Sequence, residues 1–343
     1  MFNGEIAGIF SMLICPTCQF ENPHDHKFCQ SCGTPLNLGS VNSQSSLGES
    51  PTVLQDDGEQ NPLLSDTAPT SLLSKHLKTV EYVAGTNVGR QRQKNEDYFG
   101  ITSEQQKVEL PHGQYLQVRG LYIVCDGMGG HAGGEVASEL AVNTIKQYFD
   151  QHWVEGELPT LEMIRQSILV TNQAIYDINQ EASRSGIGRM GTTLVMLIMS
   201  NNKLAVSHVG DSRIYSVTIT KGLEQITVDH EVAQREISKG VDAKIAYSRP
   251  DAYQLTQALG PRDGVYPDIS FLEVCEDTLF LLVSDGLSDH ELLENHWQTH
   301  LLPLLTSNGN LESGLSNLID LANEYNGHDN ITAILIRVRV FPR

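Results

Sequence analysis

Four short acidic stretches, each placed where an apolar run meets a turn, limit what this chain can fold into more than any other feature. They are Asn95-Glu96-Asp97, Asp126-Gly127-Met128-Gly129-Gly130-His131, Asp285-Gly286-Leu287-Ser288-Asp289 and His328-Asp329-Asn330. Carboxylates delivered to one pocket by four loops repel one another, so the fold must supply positive charge between them. Two divalent cations meet that need, and hard oxygen ligands suit magnesium or manganese rather than zinc. A paired-metal carboxylate site is built to hydrolyse phosphate esters: one metal acidifies a water, and both offset charge on the phosphoryl oxygens. Asp126 is the expected bridging ligand, and the carbonyl of Gly127 can face a metal closely because no side chain intervenes. Asp285 and Asp329 complete the ligand set, while Glu96 and Asp97 hold metal-bound waters. Arg92, five residues before Asp97, is placed to meet two phosphate oxygens with its planar guanidinium. His131 carries the side chain suited to protonating a leaving alkoxide near neutral pH. Singly, each of these residues is better read as a turn, a cap or a solvated surface group. The joint pattern carries the reading.

The chain has 343 residues, 42 acidic against 23 basic, for a net charge of −19. Such a balance attracts metal ions and repels nucleic-acid backbones, so no nucleic-acid partner is expected. No apolar run approaches the roughly 18 residues that span a bilayer. The apolar stretch from Ile6 to Phe10 has no Lys or Arg before it, which makes a poor signal peptide. The expectation is a cytoplasmic monomer with no membrane partner. Six cysteines divide four and two. Cys15-Pro16-Thr17-Cys18 and Cys29-Gln30-Ser31-Cys32 are two C-x-x-C pairs, whose four thiolates close a tetrahedron around one structural Zn2+. His24 and His26 lie between the pairs and are not needed as ligands. This zinc ribbon spans 12–38, a flexible linker rich in Ser, Gln, Asn and Gly spans 39–78, and the catalytic domain occupies 79–343. The ribbon has one lysine against one glutamate and one aspartate between its outer cysteines, so a protein partner suits it better than nucleic acid.

Within the catalytic region, Tyr115 to Cys125 reads as a buried strand delivering Asp126 to a turn. Helical spacing follows at Val136, Leu140, Ile145 and Tyr148, and again from Leu161 to Ile178. Strands are expected at Thr192–Met199, Leu204–Val209, Arg213–Val217, Ile269–Val274, Thr278–Val283 and Ile331–Val340, with a helix through Leu315, Leu318, Ala322 and Tyr325. The polar stretch from Asp229 to Leu259 reads as a flap. Strands grouped apart from the long helices favour an α+β fold over a doubly wound parallel sheet.

Other chemistries fit poorly. Gly186-Ile187-Gly188-Arg189-Met190-Gly191 matches a dinucleotide fingerprint, but a helix precedes it and a strand follows, the reverse of the required order. A cysteine phosphatase needs an arginine six residues beyond its nucleophile; Cys125 leads to His131 and Cys275 to Leu281. The nucleophile is better taken as metal-bound hydroxide, with no covalent intermediate. A phosphoprotein-binding adaptor has no need of so complete a metal shell.

Several motifs, in order, resemble the bacterial metal-dependent serine/threonine phosphatases of the protein phosphatase 2C type. They are Gly89 to Asp97, Cys125 to Glu135, Met190-Gly191-Thr192-Thr193, Val209-Gly210-Asp211-Ser212-Arg213, Ser284-Asp285-Gly286 and Asp329-Asn330-Ile331-Thr332. The resemblance covers roughly Thr79 to Arg339 and implies a four-layer sandwich, two antiparallel sheets flanked by helices. It also implies a dinuclear manganese or magnesium centre on Asp126, Gly127, Asp285 and Asp329, with Asp97 holding a water. Arg92 becomes the phosphate-binding arginine and His131 the general acid. Asp211 and Asp289 match positions linked to a weaker third metal. The implied substrates are phosphorylated proteins, the chain opposing kinases in signalling.

Overall fold

In the computed structural model the described residues are 12–14, 21–23, 76–110, 113–129, 133–182, 188–306 and 308–341. The chain divides into two units, Met1–Asp66 and Thr67–Arg343. In the first, strands β1 (Met12–Ile14) and β2 (Glu21–Pro23) pair antiparallel, Met12 opposite Pro23 and Ile14 opposite Glu21. The four ribbon cysteines, Cys15, Cys18, Cys29 and Cys32, lie outside the described residues, as do most of the 39–78 linker and His131.

The second unit begins its sheet with β3 (Leu77–Asn87), so Leu77 and Lys78 belong to a strand rather than to the linker. Then follow β4 (Asp97–Leu110), β5 (Gly113–Met128), α1 (Gly133–His152) and α2 (Leu161–Glu181). Next come β6 (Gly191–Thr192), β7 (Leu194–Ser200), β8 (Lys203–Val209), β9 (Arg213–Thr218) and β10 (Gly222–Gln225). The flap holds α3 (Val232–Ser238) and α4 (Ala243–Tyr247), after which β11 (Asp268–Glu273) and β12 (Thr278–Val283) return to the sheet. The chain closes with α5 (Asp285–Ser288), α6 (Leu292–His300), α7 (Leu311–Tyr325) and β13 (Ile331–Val340).

The strands run in the order β10-β9-β12-β13-β3-β5-β7-β8-β11, with β4 and β6 also paired to β5. Every pairing is antiparallel. Two separate sheets were expected, yet the hydrogen-bonded path is continuous. β3 joins β5 through one pair, Leu77 opposite Leu116, because β5 is long enough to run beyond its pairing with β7. Alternate residues of the central strands bury on opposite faces. On β5, Leu121, Ile123 and Cys125 pack under α1 and α2, while Tyr122 and Val124 face a second cluster. On β12, Leu279, Leu281 and Val283 pack with α6 and α7, while Phe280 and Leu282 enter that same second cluster. Strands from both ends of the path share the middle cluster, so the antiparallel sheet curls on itself with helices flanking it. Covering on both faces explains why these strands read as unbroken apolar runs.

The two long strands β3 and β4 do not show in the sequence pattern, and neither do the short β1, β2 and β10. β4 pairs along its whole length with β5, but most of its residues beyond Gly100 are exposed or only partly buried, so Glu104-Gln105-Gln106-Lys107 looks like a polar loop. β3 shows only partial burial along Ala84–Asn87, which blurs the alternation. The expected strand Thr192–Met199 breaks at Thr193, whose backbone and hydroxyl bond Asp126 instead of continuing the ladder.

Candidate active site

The β4–β5 ladder does the first assembly step. Its register sets Asp97 directly opposite Asp126, although 28 residues separate them in sequence. Like charges in that position destabilise a sheet unless something neutralises them. Asp126 is held from behind: its amide donates to Thr193 Oγ1 (3.0 Å), and its carbonyl accepts from Thr193 N (2.8 Å) and Thr192 Oγ1 (2.9 Å). Gly127 N donates to the carbonyl of Glu96 (3.0 Å), which also accepts from Ser138 Oγ (2.6 Å). A side chain at Gly127 would strike the backbone oxygens of Gly134 and Glu96, so only glycine allows α1 to start this close to the strand.

The β12–β13 ladder does the second. Val283 lies opposite Ala333, and Ser284 N donates to the Thr332 carbonyl (3.0 Å), which brings Asp285 beside Asp329 and Asn330. Asn330 knits the halves together: its Oδ1 accepts from Glu96 N (2.8 Å), and its Nδ2 donates to the carbonyls of Val88 and Lys94 (2.9 Å each). Ser284 Oγ donates to Asp97 Oδ2 (2.7 Å) and accepts from Thr332 N (2.9 Å). Arg92 Nη2 pairs with Asp329 Oδ2 (2.5 Å) while its side chain stays about half exposed, so the guanidinium borders the cluster.

The electrostatics show what the cluster lacks. Burial, with the charges of Asp285 and Asp329, pushes the Asp97 carboxyl up to about 7. Burial, with Asp289 and Asp329, pushes Asp285 up to about 6. Burial and the neighbouring charges of Asp285, Asp97 and Asp211 raise Asp126 well above the carboxylate range. Oδ1 of Asp97 and Oδ1 of Asp285 are buried with no hydrogen-bond partner. Buried, orphaned carboxylate oxygens crowded by like charge fit divalent cations, which supply both the missing partners and the missing charge. The residues fit the pair of metals the motifs imply.

Asp211 sits beyond this group, its pKa raised well above the usual range by burial and by Asp285, Glu231 and Asp229. Glu231 was not singled out in the sequence. It lies at the root of the flap, almost fully buried, and burial beside Asp229 pushes it up to about 7. Asp229 is held by Arg213, whose Nε and Nη2 donate to its carboxylate (2.9 and 2.6 Å). The same guanidinium donates to the Ser288 carbonyl (3.1 Å), tying the flap root to the turn that carries Asp285 and Asp289. Burial raises Asp289, against the pull of His290, Arg213 and His328. Thr193, Ser284 and Asn330 stand within the sequence motifs but carry no assigned role there, because nothing local marks a hydroxyl or amide that works across a sheet.

Cys125 is buried and its thiol is pushed far up by that burial, which removes it as a nucleophile. A separate trio, His208, His230 and Asp268, brings ligand atoms within 4.8 Å of one another. Gly210 N donates to His230 Nδ1 (3.2 Å), so Nε2 carries the proton toward Asp268 Oδ2 (3.4 Å). His208 Nε2 is likewise engaged by the Val228 carbonyl (2.7 Å). The trio is a hydrogen-bonded brace between β8, the flap root and β11.

A curled antiparallel sheet with helices outside it and a buried carboxylate cluster at the ends of its strands together define a metal-dependent phosphatase. The sequence model of the protein phosphatase 2C family matches residues 84–318, and the chain belongs to that family. It is 30% identical over 258 residues to the protein phosphatase PhpP of Streptococcus pneumoniae, covering 73% of this chain and 94% of that protein. The crystal structure of the Mycobacterium tuberculosis serine/threonine phosphatase PstP/Ppp superposes with a TM-score of 0.59 at 28% identity, over 76% of this chain and 99% of that one. A structure of the PstP catalytic domain in complex with two manganese ions gives a TM-score of 0.56, also at 28% identity, over 76% of this chain and 98% of that one.

Proposed function

We infer that the chain is a metal-dependent protein serine/threonine phosphatase, which hydrolyses phosphoserine and phosphothreonine in proteins. The observation that carries this is the meeting of Asp97, Asp126, Asp285 and Asp329 from two ladders, with buried oxygens that have no protein partner. Asp126, the Gly127 carbonyl, Asp285 and Asp329 would hold two divalent cations, which when bound would offset charge on the phosphoryl oxygens and acidify a water; the manganese-bound relative supports that count. Asp97 and Glu96 orient water at the edge of the cluster. Arg92 turns its guanidinium from Asp329 to the phosphoryl oxygens and aligns the ester for in-line attack. In the reaction a water that has released one proton to solvent bonds phosphorus through its oxygen, the bond from phosphorus to the seryl or threonyl oxygen breaks, and His131, protonated beforehand, gives that departing oxygen a proton. Asp211, with Asp289, offers a weaker third position whose carboxylates share the crowding of Asp285.

The same reading covers the rest of the chain. Three apolar clusters support a four-layer arrangement, two sheet halves between two helix layers. The division into ribbon (12–38), linker (39–78) and phosphatase domain (79–343) rests on the paired cysteines and the composition shift, with the ribbon holding one zinc and meeting a protein partner. Free thiols at Cys125 and at the exposed Cys275 suit a reducing compartment, hence the cytoplasm.

The test is phosphate release from a phosphothreonine peptide with manganese, then with excess chelator, for wild type and Asp285→Asn. Release that needs manganese and falls by about 100-fold or more in the variant is expected. Folded, manganese-loaded wild type that releases nothing would refute the assignment.

A further inference from the structure

We propose that a groove beside the carboxylate cluster receives the substrate polypeptide on one side of the phosphoresidue and selects an apolar side chain there. The proposal rests on the phosphatase reading and names what that site reads in its substrates. The groove has a volume of about 420 Å³ and runs between the returning arm of the flap, from Leu255 to Ala258, and the loop from Pro261 to Tyr266. That volume is in the range of cavities that hold small ligands, enough for a short run of peptide.

Its position is continuous with the catalytic cluster. Met128, which lines it, directly follows the Asp126-Gly127 pair on β5. On the other side, Leu259 N and the Thr192 carbonyl bond at 2.9 Å, and the Thr192 hydroxyl bonds the Asp126 carbonyl. A chain whose phosphoresidue sits at the carboxylates passes Met128 before it meets solvent on this side.

The groove wall is also built to keep its shape. Asn172 and Asn179 are buried two turns apart on α2, and both face this loop. Asn172 donates to the carbonyls of Arg262 (3.0 Å) and Asp263 (3.2 Å) and accepts from Gly260 N (2.8 Å). Asn179 donates to the carbonyls of Met190 (2.8 Å) and Gly260 (3.0 Å) and accepts from Met190 N (2.9 Å). Gly260 itself has φ +96°, and a side chain there would strike Ile175 between the two asparagines. Two buried amides with every contact backbone-directed hold the loop in one conformation, the support a recognition surface needs.

The chemistry of the lining identifies the occupant. Met128, Leu255, Ala258 and Pro261 present apolar surface, Arg262 and Asp263 stand exposed along the same wall, and Tyr266 is 80% exposed at the rim, its amide donating to Gln257 Oε1 (3.0 Å). An aromatic ring left this open offers a leucine or phenylalanine of a passing peptide a place to shed water. A small aryl phosphate fills the cluster and never reaches the groove, so the two substrates report separately.

The experiment compares p-nitrophenyl phosphate with phosphothreonine peptides that carry leucine or glycine at the three positions before or after the phosphoresidue. The full chain is assayed with manganese. Wild type is expected to favour the leucine peptide on one side by about tenfold in kcat/KM. Gly264→Trp places a ring in the groove; its Cβ meets nothing within 4 Å, so the fold accepts it. That variant is expected to lower the ratio of peptide to aryl-phosphate kcat/KM by about tenfold, mainly through KM. Tyr266→Ala should erase most of the leucine preference. Indifference to the flanking residues, or a ratio unmoved in folded Gly264→Trp, overturns the groove while leaving the phosphatase intact. Wild type that fails to turn over p-nitrophenyl phosphate overturns the phosphatase reading itself.

Discussion

Replacing Asp97 by asparagine should stabilise the metal-free protein, and by an amount that grows with pH. Asp97 is 6% exposed, accepts from Ser284 at Oδ2 and has no partner at Oδ1. Its carboxyl titrates at about 7 in the fold against an ordinary 3.8, because burial and the charges of Asp285 and Asp329 disfavour the anion. A raised carboxyl pKa means that the folded chain holds the proton more tightly than the unfolded chain does. Stability from this group is therefore complete below pH 3.8 and is lost as pH rises through 7. Relative to a chain whose Asp97 is protonated in both states, the fold loses about 4 kcal/mol at pH 8, where the buried carboxyl is ionised, and about 2 kcal/mol at pH 5, where folding must take up a proton. Asparagine keeps an acceptor for Ser284 and carries no charge. In chelator, urea denaturation should show Asp97→Asn more stable than wild type at pH 8, with the advantage shrinking by about 2–3 kcal/mol at pH 5. Manganese should reverse the order at pH 8, since the carboxylate then gains the positive neighbour it lacks. An advantage equal at both pH values, or wild type the more stable in chelator at pH 8, would mean that the carboxylate is not burdened by the fold.

Two further outcomes test the frame of the site and the N-terminal unit. Gly127→Ala drives a methyl into the backbone oxygens of Gly134 and Glu96, which cannot retreat without moving α1, so a loss of about 3 kcal/mol or more is expected. Gly264→Ala, in open space, should stay within about 0.5 kcal/mol in the same urea titration; similar midpoints for the two variants would refute the packing argument. Elemental analysis of the full chain should find one zinc that disappears in Cys18→Ser and Cys29→Ser, while a chain beginning at Ser74 keeps its aryl-phosphate turnover within about twofold. Zinc retained in both variants, or turnover lost with the N-terminal residues, would overturn the division into ribbon and catalytic domain.

Much of the site was legible because its chemistry is written locally. Asp126-Gly127, Asp285-Gly286 and Asp329-Asn330 each place a carboxylate at the end of an apolar strand, and the structure puts all three at strand ends that converge. Central strands such as Thr278–Val283 were legible for the same reason, since burial on both faces leaves an apolar run that needs no knowledge of its neighbours. Glu231 stands in no motif, and the motifs that contain Ser284, Thr193 and Asn330 do not show what those side chains bind. Each acts on a residue far along the chain, as Ser284 does on Asp97 and Asn330 on Glu96, and an isolated serine or asparagine carries no mark of such a partner. Likewise β4 is exposed along most of its length, so only its pairing with β5 makes it a strand.

By itself, then, the sequence determined which carboxylates gather and which glycines must sit beside them, because residue identity and local strand-to-turn geometry suffice for that. The tertiary structure decided the rest: that Asp97 stands opposite Asp126, that one continuous sheet curls where two were expected, and that the flap root brings Glu231 to the cluster. The physical reason is that hydrogen-bond register and sheet closure are chosen between segments distant in the chain, through contacts that no local pattern encodes.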